Sequence, residues 1–172
     1  MRTSFGIFAF LLTMLFFFVK ACIAQEIFVA MGDFLHIAIP CLSFAVSLFY
    51  RDKEGAKQFL YALLMMILTT QGIKFLTKDT PIGVRPYGGS KSFPSGHTAS
   101  SFQGALFLYK RYGWKWGILS IGLAILTAYS RVYGQYHHWR DVVAGLFIAF
   151  VINICFVTSL RKRNQLIFAE KY

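Results

Sequence analysis

Apolar runs alternate with short polar breaks along this chain, and the alternation predicts its elements. The runs cover 5–19, 31–50, 59–76, a stretch from His97 to about Tyr109, 116–133 and 142–160. Most approach the ~20 residues that a helix needs to cross a bilayer. The expected fold is therefore all-α: a polytopic membrane protein, a bundle of about six transmembrane helices in a single domain over residues 1–172. The fourth run is short. At about 1.5 Å per residue it does not cross a ~30 Å hydrocarbon core alone, so it either extends through "KRYGWK" or begins below the membrane surface. The first run has two readings. Arg2, an apolar stretch and "ACIAQ" fit a signal peptide cut after Ala24. Its length, and the better packing of six helices than five, favour a retained first helix over 1–24. No repeat, low-complexity tract or linker interrupts the pattern.

Composition agrees with a membrane solvent. Of 172 residues, 56% are hydrophobic, 18% aromatic and only 15% charged, where a soluble domain carries about a quarter charged. The net charge of +11 suits anionic lipid. It does not indicate nucleic acid, because the chain has no soluble basic segment. Cys22, Cys41 and Cys155 lie inside apolar runs without metal-ligand spacing and read as small apolar fillers.

Numbering the breaks alternately, with the N-terminus inside, places 11 Lys and Arg inside (Arg2, Arg51, Lys53, Lys57, Lys110, Arg111, Lys115, Arg161, Lys162, Arg163 and Lys171). The outside set holds 7: Lys20, Lys74, Lys78, Arg85, Lys91, Arg131 and Arg140. The positive-inside rule favours this arrangement. It puts the loops at 77–97 and 131–141 on one outer face, where they can meet.

Those loops hold the expensive residues. Together they offer Lys78, Arg85, Lys91, His97, Arg131, His137, His138, Arg140 and Asp141. Ionisable groups at membrane depth mark function, and a site so rich in cations takes an anion. Arg forks match phosphate oxygens. "PSGH" opens an apolar helix, so Ser95 can cap it and Gly96 lets backbone N–H groups approach a ligand. His137 and Asp141 are four apart; His138 and Asp141 are three apart. Either pair can place a carboxylate on one ring nitrogen and free the other for attack, and spacing alone does not choose. His97 supplies a second imidazole. One His as nucleophile and one as general acid suffice for phosphoryl transfer, the rest being positioning and charge. Each residue alone also fits an interfacial anchor, and Asp141 a helix cap. Metal binding by His97, His137 and Asp141 is opposed by the surrounding cations, and haem ligation by paired His leaves Arg and Lys without a role beyond the propionates.

Lys78 and Arg85-Pro86, then Pro94-Ser95-Gly96-His97, then Ser130-Arg131 with His137 and Asp141 resemble, in order and internal spacing, the three-part signature of the type 2 phosphatidic acid phosphatase superfamily. The resemblance covers 78–141 by motif and the whole chain by layout. It implies a phosphoric ester hydrolase that needs no metal and no cofactor. His137, rather than His138, is then the nucleophile, passing through a phosphohistidine, while Asp141 orients it and His97 protonates the leaving oxygen. Lys78, Arg85, Arg131, Ser95 and Gly96 hold the phosphoryl oxygens. The resemblance further implies a lipid phosphate reached from the bilayer as partner, in a bacterial cytoplasmic (inner) membrane with the active site facing the periplasm or outside.

The wording of "RPYGGSKSFPSGHTAS" and "GDFLHIAIP" further resembles the small lipid A 1-phosphatases. Phosphatidylglycerophosphate, undecaprenyl diphosphate and phosphatidate phosphatases share the same machinery. Lys91 and Lys74 are extra cations, and Lys91 is a candidate headgroup contact. A silent lipid-binding relative and a vanadate haloperoxidase-like protein are the readings from other classes. The intact motifs oppose the first and the hydrophobic spans the second.

Overall fold

The computed structural model describes residues 2–160, without the side chains of 2–19, 21 and 22. The choice between leader and retained helix for 1–24, and the basic residues Arg2, Arg161, Lys162, Arg163 and Lys171, fall largely or wholly outside what is described. Among the described residues there are five α-helices and one 3-10 turn: α1 (Arg2–Phe49), α2 (Lys53–Thr77), the turn Pro81–Gly83, α3 (Gly96–Tyr112), α4 (Trp114–Tyr133) and α5 (Trp139–Phe156). The all-α expectation holds, but five helices, not six, carry the apolar runs. Runs 5–19 and 31–50 lie on one helix. The break between them, "KACIAQEIFVA", holds Lys, Ala, Gln and Glu and neither Gly nor Pro, so its polarity does not stop a helix. Among the described residues, four stretches are long and apolar enough to span a membrane: Ile23–Phe49, Lys53–Thr77, Trp114–Tyr133 and Trp139–Phe156.

The short fourth run does extend, through Lys110 and Arg111 to Tyr112, where Gly113 at φ 95° stops it. At 17 residues α3 is about 26 Å long and is the central helix. It buries Ala99, Phe102, Ala105, Phe107 and Leu108 against the other four. Large apolar side chains point the other way. Phe34 and Ile37 on α1, Tyr61 and Leu68 on α2, Ile118 and Leu119 on α4, and Val143 and Phe147 on α5 are all exposed, as a lipid-facing surface requires. Small and polar residues fill the helix seams instead, among them Ser43, Ser47, Thr127, Ser130 and Asn153, as is common between membrane helices. Cys41 and Cys155 are free and exposed.

Two local devices set α1 against the rest. Pro40 sits inside α1 and has no N–H to give the carbonyl four residues back. That carbonyl, on His36, is taken by Ser100 Oγ of α3 at 2.8 Å. At Gly32 a Cβ would collide with the side chains of Ser130 and Arg131, so only glycine lets α1 approach α4 there.

At the end of the bundle away from the two loops, a buried ion pair ties the helices together. Arg111 Nε and Nη2 each donate to Asp52 at 2.7 Å, Arg111 Nη1 donates to the Thr158 carbonyl at 2.8 Å, and Tyr112 OH donates to Asp52 at 3.0 Å. Asp52 also caps α2 by accepting from the Gly55 N–H.

Candidate active site

The loops at 77–97 and 131–141 do meet. Ser95 N donates to the Asp141 carbonyl at 2.9 Å, which joins the start of α3 to the start of α5. Ser95 also caps α3, its Oγ accepting from Thr98 N. In the first loop, Gly88 and Gly89 take φ of 100° and 89°. The turn they make returns Gly89 O to Arg85 N at 3.1 Å, and Arg85 Nε donates to Ser90 O at 3.2 Å. In the second loop α4 ends at Gly134, and Gln135 adopts φ 61°. The Arg131 carbonyl then accepts from both Tyr136 N and His137 N. That turn presents His137 just before α5.

Asp141 closes the site from behind. It stands in the first turn of α5, where its Oδ2 accepts from His138 N at 3.0 Å. The same oxygen lies 3.4 Å from His137 Nδ1 and accepts from Ser92 Oγ at 2.5 Å. Asp141 is therefore both a helix cap and the partner of His137, and the two meanings weighed from sequence coexist. With Nδ1 held, Nε2 is the nitrogen left for chemistry. Burial, with the Lys74 charge beside it and against the pull of Asp141, holds the His137 imidazole down to about 4. The ring is therefore neutral near pH 7.

Facing it is a cavity of about 450 Å³, lined by Arg85, Gly96, His97, Arg131 and His137 together with Lys74 and Tyr136. Arg131 is buried and comes from the last turn of α4. Its Nε donates to Ser130 Oγ at 3.0 Å, its Nη1 to Asp33 at 2.6 Å and its Nη2 to the Val29 carbonyl. Two of its five N–H groups remain. Lys74, one turn before the end of α2, donates to Lys91 O at 2.8 Å and to Ser92 O at 3.3 Å.

Not every predicted residue stands on this wall. Lys78 lies beside Asp79 at 3.7 Å and over the Phe75 ring, with its side chain 38% exposed. Ser95 is buried in its capping role, and Lys91 is exposed at φ 63°. His138 is the N-cap of α5, apart from the cavity lining. Arg140 reaches the carbonyls of Pro81 and Ile82 at 3.4 Å.

Sequence reasoning missed Asp33, His36 and Ser92. Asp33 Oδ1 lies 3.0 Å from His97 Nε2 and 2.6 Å from Arg131 Nη1. The His36 ring stands 4.0 Å, centroid to centroid, from that of His97. The signal was present: an Asp and a His three apart inside an apolar run are ionisable groups at membrane depth. They were read only for their likeness to a subgroup.

Residues 55–165 match the sequence pattern of the PAP2 superfamily. The chain is similar to a lipid A 4'-phosphatase of Helicobacter pylori strain J99, 32% identical over 162 residues, covering 87% of this chain and 77% of that one. It is similar to a lipid A 1-phosphatase of Helicobacter pylori strain 26695, 32% identical over 126 residues, covering 70% and 66%. Its fold is like the crystal structure of Aquifex aeolicus LpxE, with a TM-score of 0.65 at 21% identity over 77% of this chain and 84% of that one.

Proposed function

The chain belongs to the PAP2 superfamily and is a multi-pass membrane lipid phosphatase of that type; on that premise we propose that it hydrolyses a phosphate of lipid A through a phosphohistidine formed on His137, as a single domain. The observation that carries the mechanism is the pairing of His137 Nδ1 with Asp141 beneath a cationic cavity that also holds His97.

In the first step His137 Nε2 forms a bond to phosphorus and the P–O bond to the lipid breaks. The leaving oxygen takes a proton from His97. In the second step water attacks phosphorus and gives its proton to His97, the P–N bond breaks, and inorganic phosphate leaves. Arg85, Arg131 and Lys74 neutralise the phosphoryl oxygens while the pentacoordinate centre forms, and the backbone around Gly96 adds neutral donors at the start of α3. Lys78 and Lys91 are solvent-accessible cations outside the cavity lining, and Lys91 is the proposed contact for the headgroup of a multiply anionic lipid. The proposed setting is a bacterial inner membrane with this end of the bundle facing outward. Neither a metal nor a cofactor has a part in the scheme.

The 1-phosphate is the reading adopted, on the likeness of the loops around Arg85 and His97. The 4'-phosphate is the second reading, favoured by the longer match to the 4'-phosphatase relative. The test is phosphate release by detergent-purified protein with EDTA present, across lipid A, phosphatidylglycerophosphate, undecaprenyl diphosphate and phosphatidate. His137→Ala is the blank. Mass analysis of the lipid A product assigns the 1- or 4'-position. Preference for another lipid moves the substrate and keeps the mechanism; no release from any lipid by folded protein removes the catalytic reading.

A further inference from the structure

We propose that Asp33 is a positioning residue: its carboxylate fixes the ring of His97 and the guanidinium of Arg131 together, so that the acid and one phosphate-holding cation act as a unit. This rests on the phosphatase reading above. Asp33 lies outside the three-part signature and comes from α1, a helix that supplies none of its residues.

The geometry is specific. Asp33 Oδ1 is 3.0 Å from His97 Nε2 and 2.6 Å from Arg131 Nη1, so one oxygen bridges two groups contributed by α3 and α4. Gly32 admits α1 to this contact, because a side chain there would strike Arg131. The Ser100 hydroxyl anchors the neighbouring His36 carbonyl to α3, and the His36 ring lies against the ring of His97. The imidazole is thus held on one edge and one face.

The consequence is a choice of nitrogen. A carboxylate on Nε2 keeps a proton there and leaves Nδ1 as the atom that exchanges protons with substrate. The arrangement is complementary to His137, where Asp141 takes Nδ1 and leaves Nε2. In the first step His97 enters as imidazolium, its charge offset by Asp33. The Nδ1 proton passes to the leaving oxygen as the P–O bond breaks, and the ring ends neutral with Nε2–H still on Asp33. In the second step water returns a proton to Nδ1.

Asp33 is needed because the rest of the site opposes the charged ring. Burial, His36 and Arg131 push His97 down, to about 4, and Asp33 is the group that pulls upward. A bound phosphate dianion pulls the same way and brings the acid form into range when substrate is present. Asp33, His36 and His97 also bring donor atoms within 4.8 Å of one another, a spacing open to a metal ion. The Arg131 guanidinium already occupies the carboxylate oxygen that His97 uses, and Lys74 and Arg85 line the same cavity. That field disfavours a divalent cation and favours the positioning role.

The experiment compares two esters that differ in their need for an acid. Wild type, Asp33→Asn, His97→Ala and the double variant are assayed on a phosphorylated lipid and on p-nitrophenyl phosphate, whose leaving group departs without a proton. Asp33→Asn should lower kcat for the lipid by about a hundredfold, the low end of the usual acid–base contribution. The loss on p-nitrophenyl phosphate should be about tenfold smaller, and KM for the lipid should change less than kcat. In the His97→Ala background, Asp33→Asn should leave the ratio between the two esters unchanged. Equal losses on both esters, or a further change of ratio in the double variant, would overturn the proposal. Should Asp33→Asn fail to purify folded, Asp33→Glu is read the same way: a displaced carboxylate should cost the lipid more than the activated ester, and equal costs again overturn it. An inactive wild type would instead remove the phosphatase reading itself, so the two failures are distinct.

Discussion

Ser92 donates its hydroxyl to Asp141 Oδ2 at 2.5 Å, and the same oxygen faces His137 Nδ1 at 3.4 Å. Both Ser92 and Asp141 are fully buried. Ser92 therefore fixes the carboxylate that faces His137, the proposed nucleophile. Removing a hydrogen bond to a buried charge costs about 1.5 kcal/mol or more, which is about tenfold in rate if the bond serves orientation. Ser92→Ala should lower kcat about tenfold and leave KM nearly unchanged, with Ser92→Thr recovering much of the loss. Steady-state kinetics check it; a raised KM with intact kcat would show that Ser92 serves binding instead.

Lys74 and Lys78 lie one turn apart at the end of α2, and only Lys74 lines the cavity. The signature names Lys78. The geometry predicts that Lys74→Met weakens vanadate inhibition and raises KM by at least about tenfold, the scale of one charge-assisted hydrogen bond. Lys78→Met should do less. Inhibition constants for vanadate, a mimic of pentacoordinate phosphorus, decide between them. A larger effect at Lys78 would mean that its side chain swings inward when an anion binds.

His137 carries a pH prediction. Its folded value is near 4, with burial the leading cause, and an unfolded imidazole titrates near 6.5. Between those values the unfolded chain binds the extra proton, so acidification through this window destabilises the fold. His97 contributes in the same direction. Thermal unfolding in detergent at pH 7 and pH 5 should show a smaller pH-dependent loss for His137→Gln than for wild type. The same loss in both would mean that His137 titrates normally.

How much of this was legible in sequence depends on the distance over which residues cooperate. That 77–97 and 131–141 share one end followed from counting crossings. The signature then supplied His97, Arg131, His137 and Asp141, because the spacings within each loop are local. Even so, the four-residue spacing of His137 and Asp141 does not place both on one helix. α5 starts at Trp139, and Asp141 reaches back across the cap to a ring that precedes the helix. Asp33 was hidden for the opposite reason: its partner Arg131 is 98 residues away, and no local pattern reports that approach. The helix count failed at 20–30, where polar residues interrupt hydropathy without interrupting the backbone. Lys78 shows the limit of a motif, which names a residue type and not the direction of its side chain.

The Asp52–Arg111 pair offers a stability test far from the chemistry. Burial raises the Asp52 carboxyl, but the Arg111 fork, the Gly55 N–H and Tyr112 outweigh it and hold the group below the usual carboxylate range. Its contribution is therefore present near neutral pH and is lost as pH falls through that lowered value. Arg111 is 1% exposed and joins the α1–α2 corner, the end of α3 and the segment after α5. Removing one partner leaves a buried charge unpaired, at a cost of about 3–5 kcal/mol. Arg111→Met and Asp52→Leu should each lower the unfolding temperature in detergent markedly, while the double variant should be less destabilised than the sum of the two, since no orphan charge remains. The kcat of the folded fraction should hold, because the cavity lined by His97 and His137 lies at the other end of α3. A strict sum in the double variant would show that the two side chains contribute through packing alone.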